Sequence, residues 1–118
     1  MYVQISEKYK DPIHEKCVTA ILLRQMSSVV KVGDEITISF DGCFDCDNYN
    51  ATITNVERVR LDELQTRHIV ALGYAHRSIL EYNLMKETQM GKNPLRTSLF
   101  YYIEFDETGK KIRDMYGI

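Results

Sequence analysis

The amino-acid sequence contains no long apolar run among its 118 residues. The longest such run, at residues 18–23, is too short to cross a bilayer, which takes roughly 20 apolar residues. Residues 1–8 also lack the basic segment followed by an apolar segment that marks a secretory signal peptide. We therefore expect a cytoplasmic protein that does not enter a membrane.

An excess of positive charge is absent as well. The chain has 15 lysines and arginines against 17 aspartates and glutamates, and its formal net charge is -2. Proteins that bind nucleic acid non-specifically are usually basic, because contacts with phosphate provide their affinity. Recognition of one nucleotide or a short single strand stays open, since stacking and base-edge contacts need little net charge. We interpret a mild cluster of arginines as a solvated face: Arg58, Arg60, Arg67 and Arg77.

Cysteine is scarce, with Cys17, Cys43 and Cys46 as the only three. An odd number in a chain without a secretory signal favours reduced thiols in a cytosolic setting. Together with His14, the cysteines form a His-x-x-Cys pair and a Cys-x-x-Cys pair, at spacings typical of zinc ligands. We favour a protein without a metal or another cofactor, because Cys17 borders an apolar strand and the other two lie in a turn. A zinc site made of these four residues is the alternative.

The composition is ordinary for a globular protein, with 44% hydrophobic and 27% charged residues. The length fits a single domain over residues 1–118, and no repeat or linker interrupts it. The predicted strands cover residues 18–23, 35–40, 51–59 and 98–105, and the predicted helices cover 5–13, 63–72 and 78–87. We predict a hairpin loop at residues 41–49, and a turn at 107–110 that folds the C-terminus back as a hairpin partner.

Alternation within the predicted strands indicates which side chains are buried. Ile36, Ile38, Ile53 and Val56 are expected in the core, whereas Thr37 faces the opposite way.

The helical segments carry a further set of expectations. Gly73 is predicted to end the helix at 63–72, and His68 within it is interpreted as a packing residue rather than a base. A motif of Gly91-Lys-Asn-Pro94 is predicted to end the following helix. The apolar stripe of that helix is expected to consist of Ile79, Tyr82, Leu84 and Met85.

Four motifs, taken in order, resemble those of a known family. They are the Lys31-Val-Gly-Asp34 corner, the strand Ala51-Thr-Ile-Thr-Asn-Val56, the pair Leu61-Asp-Glu-Leu64 and Leu72-Gly-Tyr74, and the strand Phe100-Tyr-Tyr-Ile-Glu-Phe105. Over about residues 9–105 the chain resembles an ASCH domain, a branch of the PUA-like superfamily. The resemblance implies an α+β fold, namely a small mixed β-barrel of five or six strands flanked by helices. Residues 106–118 would be a C-terminal extension.

The chain resembles in particular the small bacterial ASCH amidohydrolases that deacetylate N4-acetylcytidine. These enzymes use a lysine, a threonine and a glutamate. Val18, Ile21 and Leu72 fall at the three corresponding positions, and none of them can activate a nucleophile or move a proton. A shifted register places Lys16 and Thr19 at the lysine-to-threonine spacing of the family, but it supplies no glutamate.

We therefore predict a noncatalytic ASCH-type domain that binds RNA, a nucleotide or a protein partner through a cleft beside the barrel. The candidate contact residues are Arg24 and Lys31, for a phosphate, and Tyr74 and Tyr101, for stacking on a base. Of these, Arg24 and Tyr74 are the ones that flank the corresponding cleft in the resemblance. One alternative is an amidohydrolase for acylated nucleosides that uses Lys16, Thr19 and an unidentified acid. A second alternative is a zinc-stabilised interaction module.

Overall fold

Five strands and four α-helices make up the described part of the chain in a computed structural model, which covers residues 1–26, 29–43 and 47–107. The strands are β1 (Tyr2–Ser6), β2 (Ala20–Leu23), β3 (Glu35–Asp41), β4 (Tyr49–Arg60) and β5 (Leu99–Glu107). The helices are α1 (Lys10–His14), α2 (Thr66–Ala71), α3 (Arg77–Thr88) and α4 (Lys92–Thr97). Short 3-10 turns at Glu7–Tyr9 and Leu61–Glu63 precede α1 and α2.

The strands form one mixed sheet in the order β1-β3-β4-β5-β2. The β1 strand pairs in parallel with β3, and the other neighbours are antiparallel. The two edge strands, β1 and β2, are not paired with each other, so the sheet is open. The predicted α+β architecture with five strands is confirmed, whereas the expected barrel is not closed.

Apolar side chains on the two faces of the sheet form two separate cores. The sheet core contains Ile36, Ile38 and Ile53, all fully buried, together with Ile13 of α1. Val56 packs against this core but is only half-buried. The burial of the three isoleucines confirms the predicted register of β3 and β4. The second cluster, which we call the helix core, joins β5 and β2 to the helices through Ala20, Leu61, Leu64, Ile69, Leu72, Leu80, Leu95, Phe100 and Tyr102.

The predicted helix at residues 5–13 is wrong in its first half. Residues up to Ser6 belong to β1, and α1 begins only at Lys10. The β1 strand pairs Val3 with Ile38 and Ile5 with Phe40 of β3. Because these partners lie 35 positions away, local periodicity could not indicate the strand.

The predicted helix at 63–72 is shorter than expected and begins at Thr66. Leu64 has extended backbone angles, so the 3-10 turn at Leu61–Glu63 does not continue into α2. At the other end, Gly73 adopts a positive φ of 95° and the helix stops, as predicted.

The apolar stripe predicted for α3 is wrong for two of its four residues. Ile79 is 43% exposed and Tyr82 is 60% exposed, whereas Leu84 and Met85 pack against the helix core. The buried polar residue of α3 is Glu81, and the reason lies in α4. Glu81 accepts two hydrogen bonds from the guanidinium of Arg96, at 3.0 and 3.2 Å.

The helix α4 was not predicted, because a Gly-x-x-Pro motif indicates a break between elements. Gly91 precedes the helix and Pro94 occupies its first turn. Proline is tolerated there because the first N–H groups of a helix have no intrahelical acceptor.

Within the described ranges, no helix combines the length and apolarity needed to span a membrane. Most of the predicted C-terminal hairpin and extension lies at residues 108–118, which are outside the described ranges. The described residues before them are the last ones of β5. Residues 44–46 of the predicted hairpin loop also lie outside the described ranges.

Candidate functional site

A cleft of about 520 Å³ lies where the sheet remains open. The edge strands β1 and β2 and the helix α3 border it. Its volume falls within the range of small-molecule sites. Apolar side chains form its floor, among them Ile5 of β1, Ile21 of β2 and Leu80 of α3. The cleft exists because β1 and β2 pair only with their inner neighbours, β3 and β5.

Val18, Ile21 and Leu72 all line this cleft and are all buried. They come from three places in the chain: the approach to β2, β2 itself and the end of α2. These are the three residues that the family resemblance aligns with the lysine, threonine and glutamate of the amidohydrolases, and all three line the same cleft. Here they provide methyl groups in place of a nucleophile, a cation and a proton acceptor.

Two tyrosines face each other at the mouth of the cleft. The hydroxyl groups of Tyr9 and Tyr74 are hydrogen-bonded, and both residues line the cleft. The Nζ of Lys8 forms an ion pair with the carboxylate of Glu87 at 3.4 Å, next to this tyrosine pair. Burial raises the pKa of Tyr9 and of Tyr74, and the negative charge of Glu87 raises both further. Both hydroxyls are therefore protonated at neutral pH and can donate or accept a hydrogen bond.

Acidic groups outnumber basic ones along the cleft. Asp41, at the end of β3, and Glu87, near the end of α3, both line it and are both exposed. The carboxylate of Asp41 accepts a hydrogen bond of 3.4 Å from the neutral side-chain amide of Gln4. Among the described residues that line the cleft there is no lysine or arginine. The cleft therefore does not favour a phosphate group.

A second, shallower pocket of about 360 Å³ adjoins the cleft on the other side of Tyr9 and Tyr74. Lys8 and the exposed thiol of Cys17 line it, and Val18 lines both cavities. The two cavities therefore share Tyr9, Val18 and Tyr74 in their linings.

Of the four predicted contact residues, only Tyr74 lines the cleft. Arg24 is exposed beyond the end of β2, and Lys31 is exposed in the corner before β3. Tyr101 packs partly against the sheet core, and the guanidinium of Arg58 lies 4.0 Å from the centre of its ring. The structure therefore does not bring these four side chains together.

Lys16 and Thr19, the residues of the amidohydrolase alternative, lie outside the cleft lining. The Nζ of Lys16 contacts the Tyr49 hydroxyl at 2.8 Å and the Glu107 carboxylate at 3.1 Å. Burial lowers the pKa of Lys16, but these two hydrogen bonds outweigh it and raise the pKa above its ordinary value. The lysine is therefore a cation at neutral pH and not a proton acceptor. The backbone N–H of Thr19 donates to the Ala71 carbonyl at 2.9 Å, which joins β2 to α2.

The residues of the alternative zinc site do not form a common ligand set in the part of the chain that the structure describes. Among the described residues, no group of three or more His, Cys, Asp or Glu side chains is arranged to hold a metal ion. The ring of His14 packs edge-on against Tyr49 at 5.2 Å, and Cys17 is an exposed free thiol. Cys43 is disulfide-bonded, so the expectation of reduced thiols is wrong for this residue. Cys46 lies outside the described residues.

His68 is a packing residue, as interpreted from the sequence, because only 3% of its surface is exposed. The backbone N–H of Gln65 donates to its Nδ1 at 2.9 Å, which caps the start of α2. Nδ1 is therefore the acceptor nitrogen, and the proton resides on Nε2. Nε2 donates to the Glu57 carboxylate at 3.2 Å, and the ring lies edge-on to Tyr102 at 4.6 Å.

Glu57 connects this histidine to further polar groups that the sequence analysis did not single out. Its carboxylate also accepts a hydrogen bond from the Asn55 side chain at 2.8 Å and lies 3.6 Å from Arg67. Arg67 in turn lies 3.7 Å from Glu104. Polar residues at alternate positions of a predicted strand, such as Asn55 and Glu57, were the sequence signal that could have indicated this network. Because its members satisfy one another, this network is structural and separate from the cleft.

No family model and no curated protein matches this sequence. Two solved structures are similar in fold. A protein of Enterococcus faecalis V583, assigned to the family DUF984, has a TM-score of 0.66 and 12% identity, over 90% of this chain and 78% of that one. An ASCH domain from Lactobacillus crispatus JV V101 has a TM-score of 0.61 and 12% identity, over 90% of this chain and 79% of that one. At this identity the likeness shows the fold, and the predicted ASCH-like, PUA-like fold is confirmed.

Proposed function

We propose that this domain binds a nucleoside, or one unpaired base of an RNA, in the cleft between β1 and β2 and does not react with it. The observation that carries the proposal is the grouping of Val18, Ile21 and Leu72 on the cleft floor. With aliphatic side chains at these three positions, the cleft retains the means to bind a ligand and lacks the groups that would hydrolyse it there.

The dimensions and lining of the cleft support a base-sized ligand. A volume of about 520 Å³ accommodates a heterocyclic base with its sugar. The apolar floor accepts the faces of the ring, and the protonated hydroxyls of Tyr9 and Tyr74 supply donors and acceptors for its edge. Such ligands occur in the cytoplasm, where we propose that the protein resides.

The charge of the cleft favours the base over the phosphate as the recognised group. Asp41 and Glu87 line it, and Arg24 and Lys31 do not. An RNA would therefore place one base in the cleft and keep its backbone outside. This arrangement replaces the phosphate contacts that the family resemblance implied.

The proposal is tested by two measurements on the same protein. The protein is incubated with N4-acetylcytidine and the release of cytidine is followed; we expect no turnover. Binding of cytidine and of short single-stranded RNAs is then measured by calorimetry; we expect saturable binding. Turnover that disappears in Lys16→Ala or Thr19→Ala would establish the amidohydrolase alternative.

Matched tyrosine variants test whether binding occurs in this cleft. Tyr74→Phe removes a hydroxyl from its mouth and should weaken binding about threefold to tenfold, the value of one hydrogen bond. Tyr82→Phe removes an exposed hydroxyl from α3, outside the cleft lining, and should leave binding unchanged. Equal effects of the two variants, or no binding of any nucleoside or RNA, would contradict the proposal and favour a protein partner.

A further inference from the structure

One positive charge, that of Lys8, lies beside the cleft, in the lining of the adjoining pocket. The Nζ of Lys8 lies 5.0 Å from the centre of the Tyr9 ring, a distance typical of a cation–π contact. The same Nζ is 3.4 Å from the carboxylate of Glu87. The ring of Tyr9 and the carboxylate of Glu87 thus contact the same cation, next to the ligand cleft.

This cation is held weakly. The side chains of Lys8 and Glu87 are each about half exposed, and exposed ion pairs contribute little free energy. The lysine side chain is long and flexible, so it can leave the position at small cost. The contacts that Lys8 makes are therefore available to a charged group of a bound ligand.

A second carboxylate, that of Asp41, lies on the cleft, and among the described residues no lysine or arginine forms an ion pair with it. Asp41 accepts a hydrogen bond only from the neutral amide of Gln4 among the contacts that the structure describes for its side chain. Because Lys8 offsets the charge of Glu87 alone, the mouth as a whole remains negative. Complementarity then favours a ligand that carries a positive charge on an otherwise apolar, planar body.

We propose that the cleft selects bases that carry a positive charge at neutral pH, such as cytosine methylated on N3, over the neutral bases of similar size. The charge would replace Lys8 against the Tyr9 ring and Glu87, with Asp41 adding attraction from the end of β3. This inference rests on the proposed function, since it concerns the ligand of the same cleft.

Three nucleosides of similar size separate charge from shape. Cytidine and 5-methylcytidine are neutral, and N3-methylcytidine carries a positive charge on its ring at neutral pH. We expect N3-methylcytidine to bind at least about fivefold more tightly than the other two, which corresponds to about 1 kcal/mol. The preference should diminish as salt is raised, because the carboxylates are exposed.

Charge-neutralising variants assign the preference to named residues. Glu87→Gln and Asp41→Asn should each reduce the ratio of the affinity for N3-methylcytidine to the affinity for cytidine, measured in the same variant. Lys8→Ala removes the protein's own positive charge from Tyr9 and Glu87, and should increase the affinity for N3-methylcytidine severalfold. Glu63→Gln, an exposed carboxylate outside the cleft lining, is the control and should have no effect. Thermal unfolding of each variant verifies that its fold is retained.

Equal affinity for the three nucleosides at low salt would overturn this inference and leave the proposed function standing. A preference that persists in Glu87→Gln together with Asp41→Asn would overturn it as well. If none of the three nucleosides binds, both the inference and the proposed function fail.

Discussion

The side chain of Val18 lies directly over Gly73, so that a Cβ atom on Gly73 would be 2.6 Å from Cγ2 of Val18. Gly73 also has a φ of 95°, in the region that favours glycine. The contact joins the end of α2 to the segment that enters β2. Because Val18 lines the cleft, this close approach helps to set the position of the cleft floor.

We predict that Gly73→Ala destabilises the protein more than Gly33→Ala does. Both glycines have nearly the same positive φ, 95° and 96°, so the backbone strain of about 1–2 kcal/mol is common to the two variants. A Cβ on Gly33 would have nothing within 4 Å, whereas one on Gly73 would collide with Val18. We expect the collision to add about 1–3 kcal/mol. Urea unfolding of both variants measures the difference in the free energy of unfolding.

A double variant provides the control for that prediction. Val18→Ala removes the colliding methyl group, so the additional cost of Gly73→Ala should be smaller in the Val18→Ala background. Equal costs in the two backgrounds would show that the steric contact is not the cause.

We predict that Ile38→Ala and Ile53→Ala each lower the free energy of unfolding by about 2–5 kcal/mol, because both side chains are completely or almost completely buried. Thr37→Ala should cost about 1 kcal/mol or less, since Thr37 is half-buried and loses one exposed hydrogen bond of 3.3 Å to Asn50. Denaturant titration of the three variants provides the measurement. Similar losses for Ile38 and Thr37 would contradict the register of β3.

We predict that part of the acid sensitivity of the fold comes from Glu57. Burial raises the pKa of Glu57, but the hydrogen bonds from His68 and Asn55 and the charge of Arg67 outweigh it, so the pKa is below the ordinary value of 4.5. A carboxylate with a lowered pKa contributes stability above its unfolded pKa and loses it as the pH falls through the folded pKa. The free energy of unfolding should therefore decrease as the pH falls below about 4.5.

Glu57→Gln tests this assignment. The variant should be less stable than the parent at about pH 7, and the difference should shrink toward about pH 3, where the parent carboxyl group becomes protonated. Glu63→Gln, which removes an exposed carboxylate outside this network, is the control variant. A constant difference between Glu57→Gln and the parent across this pH range would exclude Glu57 as the titrating group.

We predict that the purified protein contains no stoichiometric zinc. Among the candidate ligands, His14 packs against Tyr49, and Cys43 is disulfide-bonded and thus is not a thiolate. Elemental analysis gives the zinc content per chain. About one zinc per chain, lost in Cys43→Ala, would instead support the zinc-stabilised module.

The sequence by itself determined the central strands and the main turns of this protein. Alternation placed β3, β4 and β5 correctly, because the exposure of a strand residue depends on its own position in a period of two. Gly33 and Gly73 marked the corner before β3 and the end of α2, because both positions need a positive φ. These signals are local, so one chain without relatives was enough to detect them.

Only the tertiary structure decided the burial of charged and polar groups. Glu81 is buried because Arg96 reaches it from α4, and His68 is buried because Glu57 reaches it from β4. Tyr82 is exposed although it occupies an apolar position in the helical pattern. For Glu81 and His68, a partner from a distant position in the chain outweighs the local preference.

The cleft depended most strongly on the tertiary structure. It lies between β1, which was not predicted, and β2, and it exists because the order of the sheet leaves these two edge strands without pairing to each other. The sequence indicated that Val18, Ile21 and Leu72 are apolar where the amidohydrolases have reactive groups. These three residues meet Tyr9, Tyr74 and the acidic residues of the cleft only in the folded chain, because the segments that carry them are far apart in the sequence. A binding site is built from such long-range contacts, which no local pattern encodes.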